Sequence, residues 1–134
     1  MANEGNIMGD SNVMGGGGST TTGATEEYTI VDHGVETTIN LTTADLNKVH
    51  ILENVAACTI TLPSVSSSQD GHWIEFQKRA AGNVIINRAD ADTIGDGTAT
   101  SVSNLQAADT YHHIRLMFEN GTNWAFSKVF GSWT

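Results

Sequence analysis

The residue types able to do chemistry are present in this chain but scattered. The densest acidic group, Asp90, Asp92 and Asp96, invites a calcium reading. A loop of the EF-hand kind needs an oxygen ligand at its fifth position and a Glu at its twelfth. Counted from Asp90, those positions hold Ile94 and Ser101, so a polar turn is the better reading. His112 and His113 are adjacent, and adjacent side chains on a strand point to opposite faces. One metal could not take both without ligands from elsewhere, such as copies gathered around a threefold axis. Ser and His both occur, but no Gly-x-Ser-x-Gly turn presents a nucleophile. The run Gly15-Gly16-Gly17-Gly18 lacks the Gly-Lys-Ser/Thr ending of a phosphate loop. Glu26 and Glu27 stand where no environment would push two carboxyl pKa values apart. The lone Cys58 sits in an apolar strand pattern and reads as a small buried hydrophobe. The aromatics Trp73, Tyr111, Trp124 and Trp133 could line a sugar-binding surface, with core or intersubunit packing as the blander account. The sequence therefore assigns no catalytic, cofactor-binding or metal-ligating residue, and the chain is expected not to be an enzyme.

Composition narrows the partners. Among 134 residues only 16% are charged, 15 acidic against 6 basic, for a formal net charge of -9. Such a balance argues against nucleic acid or an anionic membrane as partner and fits a protein with basic patches. So little charge leaves the surface to be covered by Ser, Thr, Asn and Gly, or by another protein. No basic and apolar leader opens the chain, and no apolar run approaches the roughly 20 residues that span a bilayer. The expectation is a product made soluble in the cytoplasm.

The elements that would position any site are short strands. The stretch from Cys58 to Ile86 is the clearest: Cys58-Thr59-Ile60-Thr61-Leu62, stopped by Pro63, then Trp73-Ile74-Glu75-Phe76, then Val84-Ile85-Ile86. Cys58, Ile60 and Leu62 share one face, and Trp73 and Glu75 oppose Ile74 and Phe76, so both faces of that strand carry bulk. Before it, Tyr28 to Val31, Val35 to Leu41 and Lys48 to Leu52 read as strands, with a short turn or single helical turn at Thr43-Ala44-Asp45-Leu46-Asn47. After it, Ile94 anchors a turn-dense loop and Thr98 to Leu105 carries one weak strand. Tyr111 to Phe118 and Asn123 to Phe130 then flank an Asn120-Gly121 hairpin signal. Ala81-Gly82-Asn83 reads as another hairpin turn. Eight or nine strands at roughly 10-residue spacing predict an all-β fold, a small antiparallel sandwich or barrel, jelly-roll-like. The expected division is a flexible attachment arm at 1–27 and an antiparallel β domain at 28–134.

The arm is Gly-, Asn-, Ser- and Thr-rich and too poor in apolar surface to offset its own ordering entropy. Asn6-Ile7-Met8-Gly9 and Asn12-Val13-Met14-Gly15 form a short repeat offset by six positions. No Lys or Arg precedes Lys48. Two readings stand open: an arm that docks Ile7, Met8, Val13 and Met14 into grooves of a basic partner, or an untethered tail.

A set of segments resembles a known family. Thr42-Thr43-Ala44-Asp45-Leu46-Asn47-Lys48-Val49, Ile60-Thr61-Leu62-Pro63, Gly71-His72-Trp73-Ile74-Glu75-Phe76, Gly82-Asn83-Val84-Ile85-Ile86, Asp92-Thr93-Ile94 and Glu119-Asn120-Gly121-Thr122-Asn123-Trp124 occur in the order found in a β domain of tailed-phage virion proteins. That family includes capsid decoration (cement), head-fibre and tail-fibre proteins, usually trimeric, and the likeness covers roughly Val35 to Phe126. The resemblance implies a homotrimeric structural protein that docks on the major capsid protein at the virion exterior and reinforces it. Trp73, Phe130 and Trp133 are the expected oligomer interface. The alternative is a receptor-binding or tail-fibre tip protein recognising host-surface glycan.

Overall fold

Residues 27–105 and 111–134 are described by a computed structural model, and within them ten short strands form two packed sheets. The strands are β1 Thr29–Asp32, β2 Thr38–Asn40, β3 Lys48–Leu52, β4 Cys58–Thr61 and β5 Trp73–Lys78, followed by β6 Val84–Asn87, β7 Thr93–Ile94, β8 Ser101–Asn104, β9 His112–Glu119 and β10 Asn123–Phe130. The larger sheet has the order β1-β3-β5-β9-β10-β7 and the smaller β2-β4-β6-β8.

The all-β architecture agrees with the sequence pattern; the antiparallel arrangement does not. The chain steps from one sheet to the other at each strand from β1 to β6, so neighbours within a sheet are every second strand and run parallel. Thr29 lies beside Lys48 and Lys48 beside Ile74, while Thr38 lies beside Thr59 and Cys58 beside Val84. This is a short two-sheet coil of three rungs, β1–β2, β3–β4 and β5–β6. Antiparallel pairing enters only afterwards, where β8 returns along β6, β9 along β5 and β10 along β9. Strand sequence and short spacing suit a hairpin and a sheet-to-sheet crossing equally, which is why the expected antiparallel arrangement has to be corrected to this coil.

Ala81-Gly82-Asn83 illustrates the difference. It joins β5 to β6 across the two sheets and is not a hairpin. Gly82 is required there by contact: a Cβ would lie 2.0 Å from the carbonyl oxygen of Ala56 and 2.7 Å from that of Asn54. Asn120-Gly121 does turn a hairpin, a three-residue loop with Thr122 in which Asn120 and Gly121 both take positive φ, 55° and 68°.

Between the sheets, one row runs Ile39, Ile60, Ile86, Val102 across the smaller sheet. It packs on Leu52, Ile74, Phe76, Ile114, Leu116, Phe118 and Trp124 of the larger. Ile94, the expected anchor, is fully buried, as is Cys58. Each such aliphatic or aromatic burial is worth about 1.5–3 kcal/mol. The 3-10 turn Thr43–Asp45 carries a capping box from Thr42. At the C-terminus, Thr134 pairs both ways with Ser103 and covers the outer edge of β8.

Candidate partner-binding face

The outward faces of the two sheets differ in chemistry. On the smaller sheet the outward residues are Thr38, Asn40, Thr59, Thr61, Ile85, Asn87, Ser101 and Ser103, small and uncharged with Ile85 the one large apolar member. Facing outward on the larger sheet are Ile30, Val49, Ile51, Trp73, Glu75, Gln77, His113, Arg115, Met117, Lys128 and Phe130. Ile30, Met117 and Phe130 are exposed, and Tyr28 lies exposed at the start of β1.

An ion pair lies at the centre of this face. Glu75, only 5% exposed, accepts from Arg115 Nε at 3.0 Å and from Gln77 Nε2 at 3.0 Å. A second Arg115 nitrogen, Nη2, is also 3.0 Å from the same carboxylate oxygen, and Lys128 Nζ stands 3.9 Å away. The Arg115 guanidinium lies 4.0 Å over the Trp73 ring and 5.4 Å from that of Tyr28, and the two rings meet edge to face at 5.7 Å. Register explains the gathering: Glu75 is opposite Arg115, and Arg115 opposite Lys128. The second pairing depends on a bulge. Strict alternation would put Trp124, Phe126, Lys128 and Phe130 on one face, but the register of β10 shifts between Phe126 and Lys128. Trp124 therefore fills the core while Lys128 and Phe130 join the outer face. No family model matches this chain, and neither does any curated protein.

Beside the ion pair, Gln77, Tyr111, His112, His113 and Phe130 line an open cleft of about 260 Å³. Tyr111 and Phe130 are 70% and 58% exposed, and the His113 ring stacks on Phe130 at 5.6 Å. As their adjacency requires, His112 points inward and His113 outward. His112 bonds with Asn104, which also accepts from the buried Lys78 Nζ at 2.8 Å.

The three residues expected at an oligomer interface part company. Phe130 is exposed and Trp73 half-buried under Arg115, but Trp133 is only 7% exposed. Its Nε1 donates to the Phe130 carbonyl at 3.1 Å, so Trp133 belongs to the protomer's own core and presents no apolar face. Trp124 is likewise fully buried, which removes it and Trp133 from any sugar-lining set. Ile7, Met8, Val13 and Met14 lie outside the described residues.

The acidic loop does not converge. Asp96 is exposed and accepts from the Thr98 hydroxyl at 2.7 Å and its N–H at 3.1 Å, bonds that hold its carboxyl below the usual range. Burial, then the nearby Asp90, pushes the Asp92 carboxyl up, against the pull of Arg88. Asp90 accepts instead from the Ser64 hydroxyl. Among the described residues no three His, Cys, Asp or Glu side chains cluster as a metal site. Burial, with Glu36 adding to it, pushes the Cys58 thiol up to about 11, which suppresses the reactive thiolate.

Sequence reasoning put Trp73 and Glu75 on one face of their strand and named Phe130 as an interface residue, but missed Arg115 and Lys128 as partners of Glu75. The only signal was opposite charge on strands whose pairing the sequence does not state.

Proposed function

We propose that the protein is a structural component of a phage virion, a capsid decoration (cement) protein that docks on the outer capsid surface and stabilises it, working as a homotrimer. The observation that carries the reading is the contrast between the two outer faces. Exposed apolar side chains set around a largely buried ion pair suit a protein partner, whereas a Thr, Asn and Ser face suits solvent. The resemblance of the turn motifs to virion β domains supplies the kind of partner, the major capsid protein. Multivalent attachment by three bodies and three N-terminal arms would give high affinity without any single strong contact.

The test is binding to capsids stripped of decoration, comparing the full chain, a chain lacking Met1 to Gly18, and Phe130→Asp. Weaker binding by both variants fits the proposal. Equal binding by the truncated chain removes the arm from the mechanism, and no binding by the full chain refutes the decoration role. A monomer by light scattering at micromolar concentration would refute the trimer.

A second reading, a receptor-binding or tail-fibre tip protein that recognises host-surface glycan, is favoured by the cleft. Tyr111 and Phe130 offer exposed aromatic faces beside the Gln77 amide and the His113 imidazole. Binding to host cells that Tyr111→Ala abolishes, with no capsid binding, would select it.

A further inference from the structure

The turn between β1 and β2 is fastened to the second rung through two histidines in series. His33 Nδ1 lies 2.9 Å from Glu36 Oε1, His33 Nε2 lies 2.9 Å from His50 Nδ1, and His50 Nε2 lies 3.0 Å from the Asp45 carbonyl oxygen. The ring planes lie within 16° of parallel, with centroids 5.2 Å apart, and His50 is fully buried on β3 against Phe76. Main-chain bonds run alongside, from His33 N to Ile51 O at 3.0 Å and from Glu53 N to Gly34 O at 2.9 Å. Among the described residues the first rung has a neighbour on one side only, since β1 pairs with β3 and β2 with β4. This makes the corner the point at which that rung can leave.

Proton counting defines what the chain of bonds tolerates. Asp45 O can only accept, so His50 must carry hydrogen on Nε2, and the middle bond then allows one hydrogen between His33 Nε2 and His50 Nδ1. Two neutral imidazoles satisfy these two bonds. One excess proton, at the Glu36 end, completes the third. A second excess proton would have to sit on His50 Nδ1, facing the N–H of His33, and the middle bond would break.

We propose that His33 and His50 form a pH-sensitive latch that holds the β1–β2 corner on the second rung while the pair carries at most one excess proton, and that opens when it takes a second. The charged groups around the pair are Glu36 on the turn, Asp45 on the 3-10 turn and Lys48 at the head of β3. Asp32 in the same turn is engaged by the Gly34 N–H at 2.8 Å. Burial holds His50 below the usual imidazole range. The Asp45 carbonyl bond opposes this, and the His33 ring adds to it. An unfolded histidine takes its proton near about pH 6.5. Below that, the unfolded or opened state binds more protons than the latched one, so the latch weakens as pH falls, by about tenfold in the opening constant per pH unit.

The test is amide hydrogen exchange on the full chain, as protection factors from neutral pH down to mild acid, comparing wild type with His33→Gln. In the wild type, protection over Thr29 to Asn40 is expected to fall about tenfold per pH unit on the acid side, while Ile60 and Ile86 keep theirs. The substituted amide could donate to neutral His50 or, turned over, accept from the protonated ring, so His33→Gln should lose this acid opening. Nitrogen–nitrogen coupling between His33 and His50 by NMR, present at neutral pH and lost with the protection, reads the same bond without a mutation. A wild-type first rung that stays protected in acid overturns the proposal, as does a His33→Gln chain that opens at the wild-type pH.

Discussion

Replacing Arg115 with Met would strip the Glu75 carboxylate of its main partner while keeping most of the side-chain volume over Trp73. Removing one member of a buried ion pair typically costs about 3–5 kcal/mol, because the other charge stays desolvated. Two features of this site place the expected loss at the lower end. Glu75 keeps the Gln77 amide at 3.0 Å, and Lys128, half-exposed with its Nζ already 3.9 Å away, can close on the vacated oxygen. Loss of the guanidinium from the Trp73 and Tyr28 rings adds about 0.5–1 kcal/mol. The sum is about 4 kcal/mol, read by urea unfolding as a lower midpoint at unchanged m value. The decisive comparison is the double replacement Glu75→Met with Arg115→Met. If the cost of the single change comes from a stranded charge, the pair of changes should recover most of it, with a coupling energy of about 2 kcal/mol. Additive losses in the double variant, or a loss below about 0.5 kcal/mol for Arg115→Met alone, would refute the view that this ion pair organises the face.

Gly82→Ala should be severely destabilising, by about 3 kcal/mol or more in the same assay, because the new methyl meets main-chain oxygen at 2.0 Å and no side chain can swing aside. The Cys58 thiol should resist alkylation in the native state and react fully in denaturant. Because the folded thiol keeps its proton up to about 11 while an unfolded one loses it near 9.0, stability should fall as pH rises through that interval. Cys58→Ala should flatten that slope, and an unchanged slope would point to another group. Asp92, whose carboxyl is pushed up, binds more protons folded than unfolded above the ordinary 3.8. Asp92→Asn should therefore stabilise the fold at neutral pH, with the gain shrinking as pH falls towards 3.8; a loss of stability at neutral pH would contradict this.

The alternation of Cys58, Ile60 and Leu62 and of Ile74 and Phe76 sorted these side chains by face, because a strand has period two; which face of β5 enters the core was left to the structure, since Trp73 and Glu75 give the other face bulk as well. The same logic made β10 misleading. Alternation alone puts Trp124 and Lys128 together, and one extra residue before Lys128 separates them. The Asn120-Gly121 hairpin was legible because its backbone geometry is local, needing two positive φ angles that these residues tolerate.

Strand partners were not legible, since neither hydrogen bonding nor burial marks a strand for its sequence neighbour over the next strand but one. The rungs also differ in length, so no fixed repeat betrays the coil. The sequence by itself determined an all-β chain and which side chains of its clearest strands share a face. Only the tertiary structure decided that β1 to β6 wind in parallel. That winding sets β3 and β5 side by side and β9 against β5, bringing Arg115 and Lys128 to Glu75 and His33 to His50, because opposite charges and imidazoles carry no address until two strands share a register.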